Sequence, residues 1–147
     1  VTTHRNGTRT RESGWLIIVD RRYRRNVSHY RQLAAGQRCH ELALAVYKAT
    51  ERFPASERFG LVSQSRRAAF SAAANIAEGA AKRGSREFRR YLDIAIGSLA
   101  ELSYALLLAH DLALLTAAEF EAIDQIRHRA GFLTWRLYQA VSRRRTE

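Results

Sequence analysis

From residue 30 onward, apolar positions recur every three or four residues, the period of one face of an α-helix. Cys39, Ala43, Val46, Thr50 and Phe53 form the first stripe, widened by Leu42 and Ala49, and predict a helix over residues 30–53. Pro54 ends it, because a proline ring crowds the preceding residue out of the α region. A second stripe of Val62, Ala69, Ala73, Ile76 and Ala80 predicts a helix over residues 61–82, with Gly84 as the break. The third is the cleanest: Phe88, Leu92, Ala95, Leu99, Leu102, Leu106 and Ala109 alternate four- and three-residue steps without error. Ser85 stands where an N-cap belongs, and Glu87 falls in the first turn, at the positive end of the dipole. The fourth opens on Thr116-Ala117-Ala118-Glu119, a capping box in which threonine and glutamate satisfy each other's free amides. It continues through Phe120, Ile123, Ala130, Leu133, Leu137 and Val141 to the basic run Arg143-Arg144-Arg145.

Helices of about 20 to 25 residues, each about 30 to 38 Å long, joined by short connections, predict an all-α domain over residues 29–147. The expected architecture is an antiparallel up-down-up-down four-helix bundle. Apolar residues remain outside the main stripes: Tyr91, Ile94 and Leu108 on a second face of the third helix, Ala68 and Ala72 on a second face of the second. Exposed together they would make a large apolar patch, which predicts a homo-oligomer. The rival reading is a wide stripe that buries them within one chain.

Residues 1–28 break the pattern. Seven arginines against two acids give them a net charge of +5, without amphipathic period, and predict a poorly ordered arm that the bundle does not need. Its apolar run, residues 15–19, is short and arginine-flanked, unlike a secretion signal. The chain opens on Val1 and contains no methionine, as expected if an alternative start codon is written as valine or the true start lies further in. No uninterrupted stretch approaches the ~20 apolar residues that span a bilayer, so a cytoplasmic protein with no membrane partner is expected. The single cysteine, Cys39, excludes an internal disulfide and a cysteine-based zinc site and reads as a small residue on a helix face.

Charge is the compositional outlier. Lys+Arg 25 against Asp+Glu 14 gives +11, and 23 of the 25 are arginine, whose planar fork matches phosphate and carboxylate. Lys82, Arg83, Arg86, Arg89 and Arg90 gather at one end of the predicted bundle, beside the N-terminus of the third helix. They are the candidate contacts to the phosphates of RNA or DNA, with backbone contacts dominating because no base-reading motif is present. The plain alternative is a solvated charged face.

Catalytic patterns fail one by one. Gly79 to Gly84 has a Walker-like spacing but lacks the lysine after the second glycine, and a helix precedes it. No acid has a histidine three residues on, as a di-iron bundle requires, and His110 and His128 stand alone. Gly97-Ser98 lacks the flanking glycine of a nucleophile elbow. No catalytic residue, metal, cofactor or small-molecule substrate is expected. Asn75, Glu78, Ser98 and Glu101 are polar residues on or beside packed faces; Glu78 and Glu101 facing each other would make a carboxylate pair. The favoured reading is structural, with hydrogen bonds fixing helix register and Arg66 and Arg67 as partners for Glu78 or Glu101.

The segments Glu41-Leu42-Ala43, Val46-Tyr47-Lys48 and Phe53-Pro54 precede Phe59-Gly60-Leu61, Gln64 and Arg66-Arg67-Ala68. Asn75-Ile76-Ala77-Glu78-Gly79, Glu87-Phe88, Arg90-Tyr91-Leu92, Ala95, Gly97-Ser98 and Glu101-Leu102 follow in order. In this combination the chain resembles the four-helix bundle proteins of the 23S rRNA intervening-sequence protein family, over about residues 30–141. Ala72-Ala73-Ala74 departs from it, replacing a stretch that commonly contains proline. The resemblance implies a left-handed antiparallel bundle assembled into a homopentamer. Some members are encoded within intervening sequences of rRNA genes. The accessory proteins of diversity-generating retroelements, similar in fold, bind nucleic acid and a reverse transcriptase. The expected function is a non-enzymatic oligomeric scaffold that binds RNA or DNA through a repeated basic surface. The alternative is a protein-interaction adaptor that recruits an enzyme such as a reverse transcriptase, with nucleic-acid binding secondary.

Overall fold

A computed structural model describes residues 30–144; the expected arm over residues 1–28 lies outside them, as does Arg145. The described residues form four α-helices and no strand: α1 (Ala34–Thr50), α2 (Leu61–Ala81), α3 (Ser85–Asp111) and α4 (Ala117–Arg143). Short 3-10 turns at Tyr30–Gln32 and Ala55–Glu57 precede α1 and α2. Each helix packs on its neighbours in sequence and α1 also packs on α4, while the diagonal pairs do not touch in this way. The four helices therefore surround one core.

The most extensive interface joins α2 to α3, and its cause is side-chain size. The buried side of α2 is Leu61, Ser65, Ala68, Ala69, Ala72, Ile76 and Gly79. Such small residues let α3 approach until its leucines fill the space. Leu92, Leu102 and Leu106 are fully buried in the core, together with Leu42, Val46 and Ile76. Each such side chain contributes about 1.5–3 kcal/mol of apolar burial. At Gly79 the approach is closest: a Cβ would stand 2.7 Å from Cβ of Tyr91 and 2.9 Å from Cδ2 of Phe88.

The periodicity of α3 holds over its whole length, and the capping box of α4 is formed in both directions, Thr116 accepting from the Glu119 amide and Glu119 from the Thr116 amide. Other expectations shift. α1 starts at Ala34, because Leu33 is extended and separates the preceding 3-10 turn from it. It stops at Thr50, whose hydroxyl bonds back to the Val46 carbonyl at 2.8 Å, although Phe53 still tucks into the core. Ser85 is not the N-cap of α3. Gly84, at φ 87°, occupies that position, and no side chain caps the helix. At the other end of α3, Leu114 N–H bonds Ala109 O and Ala113 N–H bonds His110 O, both at 2.9 Å. This is a Schellman closure with Ala113, at φ 59°, where glycine is usual.

The surplus apolar faces are only partly surplus. Ala68 and Ala72 are buried in the core, and Leu108 packs against it. The wide-stripe reading holds for them, whereas Ile94 is 42% exposed. α3 is also, by length and composition, the one described helix that could cross a membrane. Much of its apolar character is the stripe from Leu92 to Ala109 that this bundle buries.

α1 meets α4 through a buried polar contact. The Thr134 hydroxyl donates to the Ala130 carbonyl at 2.7 Å, and its oxygen lies 3.8 Å from Cys39 Sγ. With the Thr134 proton engaged, the thiol is the donor. Burial pushes the Cys39 thiol up from 9.0 to about 11.

Three tests follow from this packing. Gly79→Ala should lower stability by about 1 kcal/mol in urea titration. Overpacking of about 1–3 kcal/mol outweighs the helix propensity gained, and the opposing Cβ of Tyr91 cannot rotate away. Gly131→Ala, with nothing within 4 Å of its added Cβ, should instead gain about 0.5–1 kcal/mol. The Cys39 contribution is fully present while the thiol stays neutral in both folded and unfolded chains. As pH rises through the ordinary thiol value of 9.0, the unfolded chain ionises first. Stability should therefore fall toward pH 11, and the stability difference between the wild type and Cys39→Ala should narrow over that interval.

Candidate functional site

The basic turn between α2 and α3 is built by one glycine. Lys82 leaves the helix in an extended conformation, its amide on the Gly79 carbonyl at 3.1 Å, and Gly84 at φ 87° redirects the chain into α3. No Cβ-bearing residue adopts that angle readily. Lys82, Arg83, Arg86 and Arg90 are exposed around the turn and Arg89 is half-buried, so the sequence cluster is also a cluster in space.

Its electrostatics are less one-sided than the sequence suggested. Lys82 Nζ lies 3.7 Å from Glu78, and Arg90 Nε lies 3.4 Å from Glu87. Five cations against these two carboxylates leave a local charge of 5 − 2 = +3. Both pairs are exposed, and pairs of this kind contribute about 0–1 kcal/mol, so neither holds its cation firmly. Arg83, Arg86 and Arg89 form no ion pair among the described residues. The Tyr91 ring, which the sequence did not single out for this site, lies near two cations: Lys82 Nζ is 5.3 Å and Arg90 Cζ 5.0 Å from its centre. Its position one residue after Arg90 was the available signal. Because no side chain caps α3, the first amides of that helix face the same space. The arrangement can hold a phosphate by charge and by backbone N–H groups.

The polar residues sort differently from their expected pairings. Ser98 Oγ meets Ser71 Oγ at 2.8 Å across the α2–α3 interface and also donates to the Ile94 carbonyl. Asn75 bonds back to the Ser71 carbonyl and hydroxyl. Ser71, absent from the sequence reading, is thus the hub, and its place four residues before Asn75 was the clue. Arg66 does not pair with Glu78 or Glu101. It donates to Thr50 Oγ1 at 2.9 Å and to the Tyr47 carbonyl at 3.3 Å, and it stacks on the Tyr47 ring at 4.6 Å. Arg67 is exposed and shares a shallow depression with Glu101 without an ion pair. Glu78 and Glu101 do not face each other. From the Ser71–Ser98 contact they lie seven and three residues away in opposite directions, about 15 Å along the axis. No carboxylate pair forms.

Among the described residues no group of three or more His, Cys, Asp or Glu side chains is placed to hold a metal. The Glu119 carboxyl is held below its usual range, first by the Thr116 amide and then by Arg52, with which it pairs. That pair joins the end of α1 to the start of α4 and lies outside the basic turn.

The fold has a solved counterpart. A protein of unknown function from the S23 ribosomal protein family of Bacteroides thetaiotaomicron superposes with a TM-score of 0.65 at 22% identity, over 71% of this chain and 98% of that chain. No curated protein matches the sequence. The family model of the 23S rRNA-intervening sequence protein matches residues 31–131, from the 3-10 turn before α1 to the middle of α4 and across the whole basic turn. With two thirds of its length under that match, the chain belongs to the 23S rRNA-intervening sequence protein family.

Proposed function

We propose that this protein is a non-enzymatic scaffold that binds RNA through the basic turn between α2 and α3. The observation that carries the reading is the turn itself: Lys82, Arg83, Arg86, Arg89 and Arg90 around uncapped helical amides, with no acid directed at three of the five. The family name, which refers to an intervening sequence of 23S rRNA, favours RNA over DNA. Contacts of this kind address the phosphate backbone and carry little sequence information. The scaffold is an up-down-up-down bundle, supported by the contacts between the end of α1 and the start of α4 and between the end of α2 and the start of α3. It assembles into a homo-oligomer, a pentamer on the family resemblance. Repetition of the turn around the assembly would raise weak single contacts to useful avidity.

A second reading is an adaptor that recruits an enzyme such as a reverse transcriptase. It draws on α4, where Phe132 and Trp135 are exposed and Arg129 and Arg136 flank the Phe132 ring at 5.7 and 5.8 Å. Arginine and exposed aromatics are the residues that dominate protein interfaces.

Light scattering checks the assembly: the expected mass is a multiple of the 16.8 kDa chain, and a monomer at micromolar concentration would end this part of the proposal. Replacing Arg83, Arg86 and Arg90 with Gln should weaken RNA binding and flatten its salt dependence. The slope should fall by about one for each phosphate that is no longer neutralised, with the assembly intact. Anisotropy on labelled RNA at two salt concentrations measures both. If the wild type binds nothing at low salt, the charge serves solubility and the adaptor reading takes its place.

A further inference from the structure

The second half of α4 combines open aromatic rings with unbalanced positive charge. His128, Arg129, Phe132, Trp135 and Arg136 are all exposed, at steps of one and three residues that keep them on one side of the helix. Between Asp124 and Glu147 the chain has six arginines and no acid. Arg127 pairs with Asp124 at 2.6 Å, whereas Arg129 and Arg136 form no ion pair among the described residues. Their guanidiniums instead approach the Phe132 ring from the turns before and after it, at 5.7 and 5.8 Å from its centre. Phe132 is 45% exposed and Trp135 49%.

The indole is held in place. Trp135 stacks on Tyr138, with ring centres 5.5 Å apart and planes 12° from parallel, and Tyr138 is itself packed against the core. One turn before Trp135, Gly131 offers no side chain, and nothing lies within 4 Å of where its Cβ would stand. A helical side chain lies over the turn that precedes it, so the space around the indole is open. Phe132, Trp135 and Arg136 also lie beyond residue 131, where the family match ends. This face is therefore not among the features by which the family is matched.

We infer that this face of α4 is a stacking platform for the unpaired bases of single-stranded RNA. Every nucleotide of such a strand brings both partners: a flat base for a ring and a phosphate for a guanidinium. Rings already fixed by their neighbours lose little freedom on accepting a base. A duplex keeps its bases stacked on one another and offers the face only its phosphates. The basic turn answers to charge, whereas the platform distinguishes an open strand from a paired one. Both surfaces belong to the same end of the bundle. Thr134 lies against Cys39, and a Cβ on Gly36, one turn earlier in α1, would stand 3.7 Å from Ile76 near the end of α2. The inference goes beyond the proposed function and rests on its RNA reading.

The test is anisotropy of the full chain on a labelled single-stranded RNA of about 12 nucleotides, and on the same strand paired with its complement. The wild type should prefer the single strand. Phe132→Ala and Trp135→Ala should each weaken single-strand binding by about fivefold or more, with duplex binding unchanged, and Trp135→Phe should retain most of the affinity. Replacing Arg83, Arg86 and Arg90 with Gln should instead weaken both RNAs alike. A second readout needs no change at the platform. Trp15 is the only other tryptophan, so in a Trp15→Phe chain the single strand should quench the Trp135 fluorescence and the duplex should not. Absence of quenching, or equal losses on both RNAs in the alanine variants, would overturn the platform while leaving the turn as an RNA site. A changed assembly mass in either alanine variant would make the face a contact between copies and equally overturn it. If the wild type binds neither RNA at low salt, the inference falls together with the RNA reading.

Discussion

Everything else in this molecule depends on how closely α2 and α3 approach. Apart from Leu61 and Ile76, the buried residues of α2 are Ser65, Ala68, Ala69, Ala72 and Gly79, so α3 supplies most of the volume between the two helices. That division of labour has two consequences. The leucines of α3 are held at high density and specify a single register, which the Ser71–Ser98 hydrogen bond reinforces with a polar contact midway. The tight approach at Gly79 also brings Tyr91 and Phe88 against the end of α2, so the turn that follows must be short and sharp. The basic cluster is displayed because this packing leaves the turn nowhere to fold back.

The charge distribution follows from the same packing. Helices with small buried faces have large outward ones, and those of α2 and α3 differ in sign. α2 carries Arg66 and Arg67 outward and ends in the basic turn. After Arg90, the outer face of α3 carries Asp93 and Glu101 among apolar residues. A net charge of +11 spread evenly would present one uniform field. Instead arginines gather where α1 meets α2 and at the basic turn, while α3 carries no lysine or arginine after Arg90, an uneven field rather than a uniform one.

Much of the fold was legible in the sequence because its signals are local. The heptad of α3 needs only spacing, and the Thr116–Glu119 box needs only four residues. The errors arose where a non-local partner decided the outcome. Ala68 and Ala72 looked surplus because an alanine stripe does not say how near the opposing helices come; in the structure both are buried in the core. Arg66 was paired with carboxylates on charge alone, whereas the carbonyl end of α1 and the Tyr47 ring lie closer. Ser85 was read as a cap by residue type, but Gly84 adopts the positive φ that the turn demands and displaces the cap by one residue. The basic cluster was visible as a run of residues. That two of its members lie beside Glu78 and Glu87, and that the Tyr91 ring is near both Lys82 and Arg90, depended on side-chain placement at the turn.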